Sequence, residues 1–147
     1  MQNGLPQELA TPGEIEVVTL HAQGAQIYEC RAGEAGALAW ATREPVAALL
    51  LDGKTVGRHY AGPNWEHIDG SAVAAKLAAR VAAPSASDIP WLKLDVTERR
   101  GKGVLSGITT ILRINTKGGV APAGACDKAG SLISVAYSTD YVFLARR

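Results

Sequence analysis

Residues 51–73 read L-D-G-K-T-V-G-R-H-Y-A-G-P-N-W-E-H-I-D-G-S-A-V. Asp52-Gly53 and Asp69-Gly70 each sit between apolar residues, the pattern of a tight hairpin turn whose central residues take positive φ. Between them, Ala61-Gly62-Pro63 makes a third corner. Three reversals this close together allow only short strands laid side by side, so the stretch predicts an antiparallel meander. Pairing about Gly62 sets His59 opposite Trp65, and alternation brings His67 to the same face.

Outward from this stretch the turn signals continue. Residues 15–22 and 25–31 read as two strands broken at Gln23-Gly24, with Tyr28 and Cys30 on one face. Leu38, Trp40 and Thr42 alternate up to a break at Glu44-Pro45, and residues 46–51 read as a strand buried on both sides. Residues 90–98 are a strand with Leu92, Leu94 and Val96 on one face and Trp91, Lys93 and Asp95 on the other. A charged turn at residues 99–103 leads to a strand over 104–115, in which Ile108, Leu112 and Ile114 share a face. Residues 116–127 read as a long loop, and residues 133–143 alternate through Tyr137, Thr139, Tyr141 and Phe143. Residues 71–83 are ambiguous: alanine content and a cap from Asp69 or Ser71 favour a helix, whereas Lys76 and Arg80 fit the polar face of a strand. The expected fold is all-β and mainly antiparallel: one barrel or sandwich of about ten short strands, with at most one or two short helices.

A chain of 147 residues fits a single core, expected over residues 13–147, preceded by a flexible arm at 1–12 that contains Gly4, Pro6 and Pro12. The arm lacks the basic, apolar and small-residue regions of a secretory signal. The 15 basic and 14 acidic residues are scattered, giving a net charge of +1 and no basic stripe, so nucleic acid is not an expected partner. No apolar run reaches the ~20 residues of a transmembrane helix. Cys30 and Cys126 are the only cysteines; their spacing excludes a C-x-x-C site and leaves either one disulfide or two buried thiols.

For chemistry, His21, His59 and His67 have neither H-x-H nor H-E-x-x-H spacing, and Asn115–Gly119 is not a phosphate loop, so neither a metal nor another cofactor is expected. Ser71 lacks a nucleophile elbow. His59 remains the one candidate for acid–base catalysis, with Asp69 or Glu66 as its orienting carboxylate; for Asp69 the competing reading is a turn-maker. Tyr28, His59, Tyr60, Trp65, Trp91 and Tyr141 are the candidates for binding a small molecule or glycan, because such rings combine apolar area with a polar tip. Trp91, on the polar face of its strand, needs either a ligand or a cover from residues 59–71. Oligomeric state is not legible.

Y-E-C at residues 28–30, G-R-H-Y-A-G-P-N-W-E and D-G-S within 57–71, I-P-W-L at 89–92, N-T-K-G-G with A-P within 115–122, Cys126, and D-Y-V-F at 140–143 together resemble the domain of unknown function 3455 (DUF3455) family. The likeness spans roughly residues 5–144. It implies no particular activity. It does imply a secreted or periplasmic protein, and with it a Cys30–Cys126 disulfide, since secreted domains meet an oxidising environment. In that family the segment matching 71–83 is less alanine-rich and reads more like a strand, which leaves helix and strand evenly balanced there. Three readings stay open: a small-molecule or glycan binder, an acid–base enzyme using His59, and a ligand-free structural or stress-related envelope protein.

Overall fold

In a computed structural model, described here for residues 4–147, eight antiparallel strands follow one another around a closed barrel. They are β1 (Glu14–Ala32), β2 (Leu38–Leu51), β3 (Lys54–Tyr60), β4 (Asn64–His67), β5 (Ala72–Val81), β6 (Trp91–Arg100), β7 (Thr110–Gly118) and β8 (Leu132–Arg146). β8 pairs back onto β1, so the sheet has no free edge. Met1–Asn3 lie outside the described residues.

The meander of residues 51–73 is present as read. Asp52 and Gly53 both have positive φ, 51° and 77°, the geometry that lets a two-residue turn match the twist of its strands. In β3–β4, His59 pairs with Trp65 and Gly57 with His67. The expected ten strands become eight because two supposed breaks lie inside single strands. Gly24 is in the middle of β1, where an added Cβ would stand 2.0 Å from the carbonyl oxygen of Val46. The glycine lets the β2 backbone pass close, which a sequence cannot distinguish from a strand end. Pro45 lies inside β2 but beyond Ala47, the last β2 residue paired with β3, where the ladder has one neighbour fewer and proline is tolerated. β2 is also not buried on both sides: Ala47 and Leu49 face inward while Val46 and Leu51 are exposed.

Residues 72–81 form a strand, not the helix that alanine content allowed. Bulges at Ala74/Ala75 and Leu77/Ala79 break its alternation, so Val73 is fully buried, Leu77 is half exposed, and neither period reads cleanly. The strand expected over 104–115 begins only at Thr110. Residues 101–109 instead fold beneath one end of the barrel and seal it with Leu105 and Ile108, both fully buried.

Inside the barrel, Leu20, Leu49, Val73, Leu94, Ile111 and Phe143 anchor the main core. A second, smaller cluster lies on the outer face of β7 and β8, where Leu112, Ile114, Val142 and Leu144 meet Leu9 of the N-terminal segment. The described part of the arm is thus docked: a 3₁₀ turn at Gln7–Leu9 buries Leu9 completely, and Ala10 accepts a hydrogen bond from Lys93 Nζ at 2.7 Å. Ile108 therefore parts from Leu112 and Ile114, the first facing the barrel interior and the others the outer cluster. Cys30 and Cys126 form a disulfide, Cα atoms 5.9 Å apart, that ties the β7–β8 loop to the end of β1.

Candidate functional site

β2 runs on to Leu38 while β3 stops at Tyr60, and this mismatch leaves a notch between the β1–β2 ribbon and the 61–63 corner. Behind the notch is a cavity of about 310 Å³, at the low end of the range for small-molecule pockets. Gln26 of β1, Pro45 of β2, His59 of β3 and Trp65 of β4 line one side, and Leu92 and Leu94 of β6, Arg113 of β7 and Tyr141 of β8 line the other. All are inward positions of their strands, which is why seven of the eight strands converge on one space. Thr42, Arg43, Glu44 and the 61–63 corner complete its wall and rim.

His59 organises the inner wall. It is 3% exposed, its ring stacks on Trp65 at 4.4 Å between centroids and 18° between planes, and Tyr141 meets it edge-on at 5.1 Å. Its Nδ1 lies 2.8 Å from the carbonyl oxygen of Asn64. A carbonyl only accepts, so Nδ1 carries the proton and Nε2 is left as an acceptor in the neutral ring. Burial lowers the His59 pKa to about 4, with the positive charge of Arg113 acting in the same direction. Tyr141 is 1% exposed, its hydroxyl 3.3 Å from that of Tyr137, and burial pushes both phenols up, so both stay protonated. The indole Nε1 of Trp65 is buried without a hydrogen-bond partner.

Asp69 is not brought to His59. It sits at the opposite end of the barrel, where Oδ1 accepts from the Ser71 hydroxyl at 2.6 Å and the Ser71 amide at 2.9 Å, and Oδ2 from the Val104 amide at 2.8 Å. These donors hold its pKa down to about 2. Ser71 Oγ in turn accepts from the Leu105 amide at 3.1 Å, so the pair fastens the plug of residues 101–109. Glu66 lies on the outer face of β4, where it takes the Tyr60 hydroxyl at 2.8 Å, and Arg58 covers the Tyr60 ring at 4.7 Å from its centroid. His21 and His67 pair with Asp140 and Asp69, at 3.0 and 3.3 Å, away from the cavity.

Of the residues expected to bind a ligand, His59, Trp65 and Tyr141 line the cavity; Tyr28, Tyr60 and Trp91 do not. Tyr28 is buried under the β7–β8 loop and donates its hydroxyl to the Gly119 carbonyl. Trp91 packs on the outer cluster with Leu9, so the N-terminal segment covers it, not residues 59–71. Gln26 and Arg113 were not anticipated. For Arg113 a signal existed: in Ile111-Leu112-Arg113-Ile114 the arginine shares the inward face of Ile111, an unusual place for a charge.

No curated protein and no solved structure matches the chain. A family model described as a protein of unknown function (DUF3455) matches residues 11–54 and 50–145, which together cover nearly the whole barrel, and the chain belongs to that family.

Proposed function

We propose that this domain binds a compact small molecule in the cavity at the notch between β2 and the β3–β4 corner. The observation that carries the reading is an unfilled space of about 310 Å³ on the barrel interior, walled by His59, Trp65, Tyr141 and Arg113 together with leucines. Barrel interiors of eight strands are usually just filled by their side chains, and an open chamber of mixed polarity is the arrangement of a ligand site. A glycan platform is disfavoured, because one face of Trp65 is occupied by His59 and the Tyr60 ring is covered by Arg58 on the outer surface. A secreted or periplasmic setting is supported by the disulfide, which persists in oxidising compartments. Among the described residues no helix is long and apolar enough to cross a membrane.

Acid–base catalysis by His59 is the weaker reading. A general base works best with a pKa near the operating pH and a partner that orients it, whereas this ring is held neutral and its Nδ1 faces a backbone carbonyl. Thermal shift and tryptophan fluorescence against a library of small metabolites test the binding reading. Saturable binding is expected, and Leu92→Phe, which adds bulk inside the cavity, should abolish it while the barrel still folds. If no compound binds, or if Leu92→Phe binds as well as the parent protein, the cavity is not the site.

A further inference from the structure

Among the charged groups around the cavity, Arg113 differs from the rest. At the rim, Arg43 reaches Glu29 at 2.9 Å and Glu44 at 3.2 Å. Arg113, on the inner wall, has no carboxylate partner among the described residues. Its Nε and one terminal nitrogen both donate to a single backbone oxygen, that of Pro90, at 3.0 and 2.8 Å. The Tyr141 hydroxyl also engages the guanidinium, but neither it nor the Pro90 carbonyl carries a charge, so the group is oriented without being neutralised, and Arg80 adds positive charge nearby. An arginine in an apolar interior is normally paired, because desolvating a lone cation is costly. A second group points the same way: Gln26, 7% exposed and lining the same space, has no side-chain hydrogen bond among the described residues. Arg113 and Gln26 both offer N–H donors to a group that the protein itself does not supply.

We infer that the cavity takes a small organic acid, its carboxylate on the Arg113 guanidinium and its apolar body against Leu92, Leu94 and Pro63. The inference rests on the binding reading above and adds the charge of the ligand to it. Arginine's planar fork matches a carboxylate with two parallel hydrogen bonds, which a neutral amide cannot reproduce. His59 in its neutral form contributes no second charge, and its Nε2 acceptor suits a hydroxyl on the ligand better than the carboxylate itself.

The test compares acids with their neutral isosteres: benzoate with benzamide, and hexanoate with hexanamide, by calorimetry on the disulfide-bonded protein at pH 7. A charge-assisted pair to a partly desolvated guanidinium predicts that each acid binds about 10- to 100-fold more tightly than its amide. Arg113→Met should erase that preference and leave the amides within about 3-fold of their starting affinity, and Arg113→Lys should restore part of it. Because Arg113 also holds the Pro90 carbonyl, Arg113→Met is first checked for a cooperative thermal transition; the comparison on the unaltered protein stands without it. Amides that bind as tightly as their acids would overturn the inference and leave the binding reading intact. If none of the four probes binds up to about 10 mM, the acid inference fails, and the binding reading is decided separately by the library and by Leu92→Phe.

Discussion

His59 shows how one residue's surroundings decide what it can do. The same imidazole that would titrate near neutrality in water is stacked on Trp65 and hydrogen-bonded to Asn64, and its pKa falls to about 4. That shift is also a statement about stability. The unfolded chain binds a proton on this ring below its ordinary pKa of about 6.5, while the native chain does not until about pH 4. The native state therefore keeps the full contribution above pH 6.5 and loses it progressively as the pH falls towards 4, by about 3 kcal/mol at most. Urea denaturation from pH 7 to pH 4 should show this fall in the parent protein and a flatter profile in His59→Gln. Equal slopes would mean that His59 is not held neutral. Asp69 acts in a separate window: its lowered pKa contributes stability above the usual carboxylate range and loses it only as the pH falls through about 2.

At the scale of elements, the 101–109 segment is a plug kept in place by a turn on another strand pair. Asp69 accepts three hydrogen bonds, one of them from Val104 in the plug, and Ser71 takes the Leu105 amide. Asp69→Ala should cost about 2 kcal/mol, since bonds to a charged acceptor are stronger than neutral ones. Hydrogen exchange should quicken at Leu105 and Ile108 before it does so in β1 or β8. Uniform quickening would show the plug to be part of the global unit instead. How much of this was legible depended on what each residue type encodes. Asp52-Gly53 and the Gly-Pro corner specify backbone reversals by themselves, so the His59–Trp65 pairing followed from the sequence. Gly24 and Pro45 encode only a local permission, used here for a close crossing and for a stretch of β2 paired on one side only, and a sequence does not distinguish either from a strand end. Alternation already set Tyr60 on the face opposite His59, but the ring chemistry that marks a binding candidate is the same on either face and does not separate the two. The role of Asp69 as a plug fastener could not be read, because it depends on Val104, 35 residues away.

For the whole molecule, the disulfide raises the question of which state it acts on. Cys30 and Cys126 are 96 residues apart, and the bridge encloses β2 through β7. In the folded chain the same loop is also held without it: the Cys30 amide donates to Ser131, the Gly130 amide to Cys30, both at 2.9 Å, and Ala39 bridges to Ala125. Breaking the S–S bond therefore removes little from the native contacts, while the unfolded chain regains the freedom of a loop nearly a hundred residues long. In the chain-entropy account that is on the order of 4 to 5 kcal/mol, a large share of the stability of a domain this size. Reduction should accordingly lower the urea midpoint and raise the m-value, because an uncrosslinked unfolded chain exposes more surface. Without urea, the reduced protein should keep its far-ultraviolet circular dichroism and whatever ligand the cavity binds. Loss of the barrel on reduction alone would place the bridge's contribution in the native loop, and an unchanged midpoint would show that the crosslink contributes nothing.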